Sequence, residues 1–219
     1  MTQYTNALYG LAEQAQVTLA TIHKAREKAL PATREVIRLC ANSIRATHRK
    51  EFKYARSILK SAQLLLDETR EALSDHQEIY YTGYMSDAQK EYSEAWATLA
   101  FISGTSLLSP KDIRVDIAPY LNGIAEAASE LRRSILDALR NNDIEPCEEW
   151  MTTMDEVYSL LITLDYPDAV TAGLRRTTDQ LRGVLERTRG DFTMALRQHS
   201  LERRIAYYEE RLPPATPQQ

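Results

Sequence analysis

The sequence predicts an all-α protein. Apolar residues recur every three or four positions through most of the 219 residues, as they do in amphipathic helices. Only seven glycines and eight prolines interrupt this pattern, so long helices with short connections are favoured. No stretch shows the strict apolar–polar alternation of a half-buried strand. We expect a single helical domain over residues 1–212 and a flexible C-terminal tail over 213–219.

The helical pattern can be followed along the chain. It predicts helices over 11–30, 33–49, 52–74, a segment that includes 87–96, 116–140, 145–164 and 169–212. Pro31 either starts a new helix or kinks a long one. No glycine or proline lies near 48–51, so the local pattern leaves open whether the chain turns there. The last run is one helix or two helices divided near Gly190, and 103–115 is the one substantial loop.

Charge and cysteine content narrow the functional classes. The formal net charge of −4 argues against a sequence-independent coat for duplex DNA, although a local basic groove is compatible with it. Cys40 and Cys147 match no metal or redox spacing, so we expect two buried, reduced thiols and a cytoplasmic location, with a disulfide as the alternative. We expect no signal peptide, and no apolar run approaches the ~20 residues of a membrane span.

Two acidic pairs are candidates for a metal centre. Glu91 and Glu94 are three residues apart and Glu126 and Glu130 are four apart, so each pair lies on one helical face. If the two helices pack side by side, four carboxylates converge. Such a cluster suits a hard divalent cation, Mg²⁺ or Mn²⁺. The alternative is that each pair belongs to a solvated helix face.

A basic stripe runs along the second predicted helix, about a quarter-turn from its apolar face. It consists of Arg34, Arg38, Arg45 and Arg49. These side chains are candidates for phosphate contacts in a nucleic-acid groove, and the alternative is a solvated face paired with neighbouring acids. For His48, which closes the apolar stripe of this helix, we expect a structural hydrogen bond.

Four segments together resemble the translin/Trax family of helical nucleic-acid-handling proteins. REVIRLCANSIRATHR at 34–49 is similar to the first-helix pattern of the family, and YTGYMSDAQKEYSEA at 81–95 is similar to its EYxEA helix. YLNGIAEAASELRRSILDALRNND at 120–143 resembles its YLxG…ELxR…GD helix. LDYPDAVTAGLRRTTDQLRGVLERTRGD at 164–191 resembles the C-terminal segment of prokaryotic members. The resemblance extends over roughly residues 30–219.

This resemblance implies a seven-helix bundle that turns after His48-Arg49. It also implies assembly into a closed hollow homo-oligomer, usually an octamer, around single-stranded nucleic acid. The Trax-like branch cleaves single-stranded RNA with a divalent metal, whereas the translin-like branch binds without cleaving. Single-stranded DNA stays open as a second ligand.

The acidic residues decide between the two branches. Glu91 and Glu94 match the glutamates of the Trax EYxEA motif, and Glu130 matches the glutamate of ELxR. Glu126 stands where Trax usually has Asp, and Ser129 stands where many members have Gly. The resemblance therefore implies a metal-dependent endoribonuclease in which metal-activated water attacks the phosphodiester.

Three other readings compete with the endoribonuclease. The first is a translin-like single-stranded nucleic-acid-binding protein without catalysis. The second is a di-iron bundle, which needs Glu-x-x-His motifs that none of the four histidines provides. The third is a helical adaptor without a ligand, which would behave as a single chain in solution and bind no RNA.

Overall fold

The computed structural model describes residues 2–211 and confirms the all-α fold, with no strand in that range. The eight helices are α1 Thr5–His48, α2 Phe52–Ala72, α3 Gln77–Tyr80, α4 Gly83–Ser103, α5 Ile117–Arg140, α6 Glu145–Leu161, α7 Asp168–Thr171 and α8 Leu174–Glu209. Six of them are long, and α3 and α7 have only four residues each. The described residues therefore contain one helix more than the seven-helix bundle that the resemblance implied. The tail expected over 213–219 lies outside the described residues.

The structure resolves the open points about helix ends. Helix α1 continues through Pro31, because the carbonyl of Glu27 that loses its hydrogen bond lies on the exposed side and is accessible to water. The chain turns after His48, as the resemblance implied, and Lys50 takes a positive φ of 62° there. Helix α8 is not divided at Gly190. The break falls earlier, where Ala172 and Gly173 both adopt the left-handed conformation.

The core is arranged around α4 and α5. Helix α4 packs against α1, α2 and α5, and α5 packs on its other side against α6 and α8. Tyr92 of α4 is fully buried, and its hydroxyl donates a 2.6 Å hydrogen bond to Gln63 Oε1 of α2. This central position makes α4 and α5 the most enclosed helices, so polar side chains on their shared face are partly removed from water.

The backbones of α4 and α5 approach closely at Gly123. A Cβ atom placed there would lie 2.6 Å from the carbonyl oxygen of Lys90, 2.6 Å from Cβ of Ser93 and 2.8 Å from the backbone nitrogen of Glu94. Two of these three atoms belong to backbone, which cannot move aside as a side chain can. Glycine is therefore required at this crossing for steric reasons, although its φ is helical.

The first part of α1 and the last part of α8 form two arms that extend beyond the core. Residues 6–21 of α1 are all exposed, and so are most positions of α8 after Phe192, the last buried residue. Large apolar side chains are exposed on both arms, including Leu8, Val17, Leu201 and Tyr208. Within the described chain, none of the helices combines the length and apolar character of a membrane span.

We expect Gly123→Ala to destabilise the protein by about 1–3 kcal/mol, because the added methyl group overpacks the α4–α5 crossing. This loss should exceed the gain of about 1 kcal/mol in helix propensity that alanine normally brings. Thermal or urea unfolding measures the difference.

Gly190→Ala is the matched control, because nothing lies within 4 Å of a Cβ at that position of α8. It should stabilise the protein by up to about 1 kcal/mol. Equal effects of the two substitutions would show that the crossing is not sterically limited.

Candidate metal centre and nucleic-acid interface

Three of the four predicted glutamates meet where α4 crosses α5. Glu91 and Glu94 lie on one face of α4, and Glu126 faces them from α5, one turn beyond Gly123. One carboxylate oxygen from each lies within 4.8 Å of the other two. The pair on α4 therefore lies together with one member of the pair on α5, whereas the sequence analysis expected all four carboxylates to converge. Three carboxylates at this spacing provide the oxygen ligands that Mg²⁺ or Mn²⁺ requires.

A lysine that the sequence analysis did not single out lies inside this cluster. Lys90 Nζ donates a 2.8 Å hydrogen bond to Glu126 Oε1 and lies 3.5 Å from Glu91 Oε1. Its side chain is only 26% exposed. Burial lowers the pKa of Lys90, but the hydrogen bond to Glu126 and the charges of Glu91 and Glu94 outweigh burial and raise the pKa overall. Lys90 is therefore charged at neutral pH.

Glu94 is the most deeply placed carboxyl group of the site. It is 9% exposed, and within residues 2–211 its carboxyl group has neither a hydrogen bond nor an ion pair. Burial, followed by the charges of Glu91, Glu126 and Glu130, raises the pKa of Glu94 to about 8. Burial likewise raises the pKa of Glu91. A buried carboxyl group that has no protein partner can bind a cation, and with the oxygens of Glu91 and Glu126 beside it these residues fit a divalent metal.

Glu130 is held apart from the other three. Its Oε2 lies 2.8 Å from His48 Nε2, and Ser134 Oγ lies 3.3 Å from His48 Nδ1. The hydrogen bond from His48 lowers the pKa of Glu130, so this carboxylate is ionised at neutral pH. The hydrogen bond expected for His48 is confirmed, and its partner is a predicted site residue. Because Glu130 contributes to the raised pKa of Glu94, it still lies at the border of the cluster.

The predicted arginine stripe lies on the exposed face of α1, and three of its four members have local partners. Arg38 makes two hydrogen bonds to Glu35, and Arg49 makes two to Glu51. Arg45 donates to Asn42 Oδ1 at 2.6 Å. Arg34 has no ion pair within the described chain. These exposed pairs are weak and a phosphate can replace the acids at little cost, so the stripe remains a candidate interface.

The structure adds a basic hollow that the sequence analysis missed. It has a volume of about 340 Å³, and Lys53, Arg56 and Lys60 of α2 line it together with hydroxyl groups near the end of α4. In the part of the chain that the structure describes, none of these three cations has an ion pair. Their spacing of three and four residues was a readable signal of one basic helical face. The contribution of α4 could not be read from α2 alone.

The two cysteines are buried and free, as predicted. Cys40 of α1 lies beneath the acidic site, where burial and the charges of Glu91 and Glu94 raise its pKa. The thiol is therefore protonated and does not join the candidate metal ligands. Burial also raises the pKa of Cys147, to about 11. Both side chains serve as core residues.

Comparison with known proteins identifies relatives over most of the chain. The structure superposes on AfC3PO in complex with duplex RNA with a TM-score of 0.77 and 33% identity, covering 84% of this chain and 95% of the other. For a crystal structure of AfC3PO the TM-score is 0.76 and the sequence identity 34%, covering 84% of this chain and 96% of the other. Apo-NeC3PO shares the fold, with a TM-score of 0.73 and 20% identity over 89% of this chain and 98% of the other.

Sequence comparison alone is less informative. An uncharacterized protein of Methanocaldococcus jannaschii is 29% identical over 209 residues, which covers 88% of each chain. No protein-family model matches the chain. The helical bundle and the sequence identity of 33–34% to AfC3PO place this protein in the C3PO-like class. The chain belongs to the translin/Trax family, which confirms the resemblance seen in its motifs.

The raised pKa of Glu94 predicts a pH-dependent stability in the absence of metal. Between its ordinary value of 4.5 and about 8, the folded state keeps the proton and the unfolded state releases it, so the free energy of unfolding falls as pH rises. Glu94→Gln mimics the protonated form. Its stability relative to wild type should therefore increase by about 3 kcal/mol from pH 5 to pH 8.

Thermal unfolding in excess chelator at a fixed protein concentration measures this difference. Glu149→Gln, which replaces an exposed carboxyl group on α6, is the control for the loss of one carboxylate. If the stability difference between Glu94→Gln and wild type changes with pH no more than that of the control, burial of Glu94 does not raise its pKa.

Proposed function

We propose that this protein is a divalent-metal-dependent endoribonuclease that acts on single-stranded RNA. The observation that carries the proposal is the convergence of Glu91, Glu94 and Glu126 within 4.8 Å beside a charged lysine. Membership of the translin/Trax family supports it. Glu91 and Glu94 resemble the glutamates of the Trax EYxEA motif, and Glu126 stands where Trax usually has Asp.

The side chains of the site have distinct roles in this proposal. Glu91, Glu94 and Glu126 would hold Mg²⁺ or Mn²⁺, and Glu130 would complete the acidic set from its position against His48. Such a cation lowers the pKa of bound water and neutralises charge on the phosphate. The carboxyl group of Glu94 must release its proton to serve as a ligand.

The RNA-binding surface is expected on the basic elements near the site. The structure of AfC3PO in complex with duplex RNA supports RNA as the ligand of this chain too. Ser103, which borders the basic hollow, lies nine residues beyond Glu94 on α4, or about 14 Å along the helix axis. That separation is comparable to two or three nucleotides of an extended strand. The arginine stripe on α1 would supply further phosphate contacts.

Assembly into a closed homo-octamer in the cytoplasm is part of the proposal. The large apolar side chains exposed on both helical arms support it, because an interface between chains would remove them from water. Buried reduced cysteines agree with a reducing compartment. Eight chains of 25.0 kDa would have a mass of about 200 kDa by light scattering.

Cleavage of a labelled RNA tests the catalytic role. The assay uses single-stranded and duplex RNA with Mg²⁺, Mn²⁺ or excess chelator. We expect metal-dependent cutting of the single strand. Glu91→Gln/Glu94→Gln should lower the rate by more than about 100-fold, since loss of outer partners of metal ligands alone typically costs 10–100-fold. Both substitutions preserve shape, so RNA binding in chelator and assembly mass should be unchanged.

Glu149→Gln, which changes an exposed glutamate far from the cluster in sequence, should cut at the wild-type rate. Residual cutting of equal size in the double variant would point to a contaminating nuclease or a different site. Tight RNA binding without cutting under any metal would remove the catalytic part of the proposal.

The second candidate is a translin-like RNA-binding protein without catalysis. Two observations favour it: Lys90 already supplies a cation to the cluster, and Glu130 is engaged by His48. In that case the glutamates would stabilise the α4–α5 pair through Lys90, and RNA affinity would be the same with metal and with chelator.

The basic hollow gives a separate prediction about RNA affinity. Replacing Lys53, Arg56 and Lys60 together by glutamine should weaken single-stranded RNA binding. The salt slope of the affinity, log K against log salt concentration, should become shallower by about 2 because each contacted phosphate contributes about 0.7. Fluorescence anisotropy over a series of salt concentrations measures both quantities.

A triple variant with the same charge loss elsewhere is the control, with Lys24, Lys28 and Lys111 changed to glutamine. These three side chains are exposed and lie outside the hollow. An equal change of slope in both triple variants would show that net charge alone governs the affinity and that the hollow has no special role.

A further inference from the structure

The ammonium group of Lys90 lies among the carboxylates that would hold a metal ion. Its ammonium group bonds to Glu126 at 2.8 Å and lies 3.5 Å from Glu91, so it draws together carboxylates from both helices. These are two of the three groups whose oxygens meet within 4.8 Å. An ammonium group and a divalent cation cannot share the same oxygens at that range, because their repulsion in a half-buried site is large.

The lysine side chain can leave this position without disturbing the helix. Its backbone lies at the α4–α5 crossing, where its carbonyl oxygen faces Gly123. The four-carbon stem nevertheless lets the ammonium group move several ångströms while that backbone stays fixed. Once outside the cluster, the ammonium group needs another anion, and an RNA phosphate bound next to the metal would provide one.

We infer that Lys90 is a resident counter-cation that a divalent metal must displace, and that it then contacts the phosphate of the RNA substrate. This inference rests on the proposed metal site. Lys90 thereby couples metal and RNA binding: RNA stabilises the displaced lysine and so raises metal affinity, and by reciprocity metal raises RNA affinity. The site binds metal weakly until the substrate arrives.

Mn²⁺ binding to the full-length protein without RNA tests the displacement. Lys90→Gln should bind Mn²⁺ about tenfold more tightly than wild type in calorimetry or electron paramagnetic resonance, a typical size for a coupling between ligands. Lys90→Arg keeps the charge and should stay within about threefold of wild type. Lys111→Gln, an exposed change outside the cluster, is the control for general charge effects.

A thermal readout is independent of metal titration and of catalysis. In chelator, Lys90→Gln should unfold at a lower temperature than wild type, because the carboxylates lose the cation that offsets their repulsion. Saturating Mn²⁺ should raise its unfolding temperature by more than that of wild type. Lys90→Arg, which retains a cation, provides a folded comparison if the glutamine variant proves too unstable to assemble.

The outcomes separate this inference from the proposed function. Equal or weaker Mn²⁺ affinity in Lys90→Gln would overturn the role of Lys90 while leaving the metal site intact. If neither wild type nor Lys90→Gln binds Mn²⁺ at millimolar concentration, the metal site and this inference both fail. Tighter binding in Lys90→Gln but not in Lys90→Arg supports displacement of the charge.

Discussion

The close contact between α4 and α5 at Gly123 is the constraint on which the candidate site depends. The atoms that a Cβ at this position would strike belong to Lys90, Ser93 and Glu94, so the crossing point and the acidic cluster lie within one helical turn of each other. Close approach of the two backbones brings Glu126 to the glutamates of α4. The cluster is therefore built on the crossing of two packed helices and not on a loop.

This contact has an electrostatic cost, because it brings carboxylates together in a half-buried place. The protein offsets the cost in three different ways. Glu94 keeps its proton at neutral pH, Glu126 is paired with Lys90, and Glu130 is hydrogen-bonded by His48. The groups involved all belong to three helices, α1, α4 and α5. A cluster of partly buried carboxyl groups lowers the stability of the fold, and such clusters are typical of sites that bind ligands or catalyse reactions.

The helical period and the order of the motifs predicted much of this arrangement. What they could not predict depends on contacts between residues far apart in the sequence. The spacing of Glu91 and Glu94 was enough to place them on one face, because a helix fixes that geometry locally. The separation of Glu130 from the other three depends on His48, 82 positions away, which periodicity cannot reveal. Nothing in the sequence distinguishes Lys90 from the other charged residues of its helix. Pro31 could not be interpreted either, because its tolerance depends on which side of α1 faces water.

The two exposed helical arms have a consequence for dynamics and for the order of assembly. Isolated helices of this length are marginal in water, and residues 6–21 and most of 193–209 have little core to hold them. In a lone chain, their amide hydrogens would exchange with solvent far faster than those of α4 and α5. Any surface that covers the arms would order them as it binds. In the proposed oligomer, ordering of the two arms would then report how complete the assembly is, whereas the acidic site lies within a single chain.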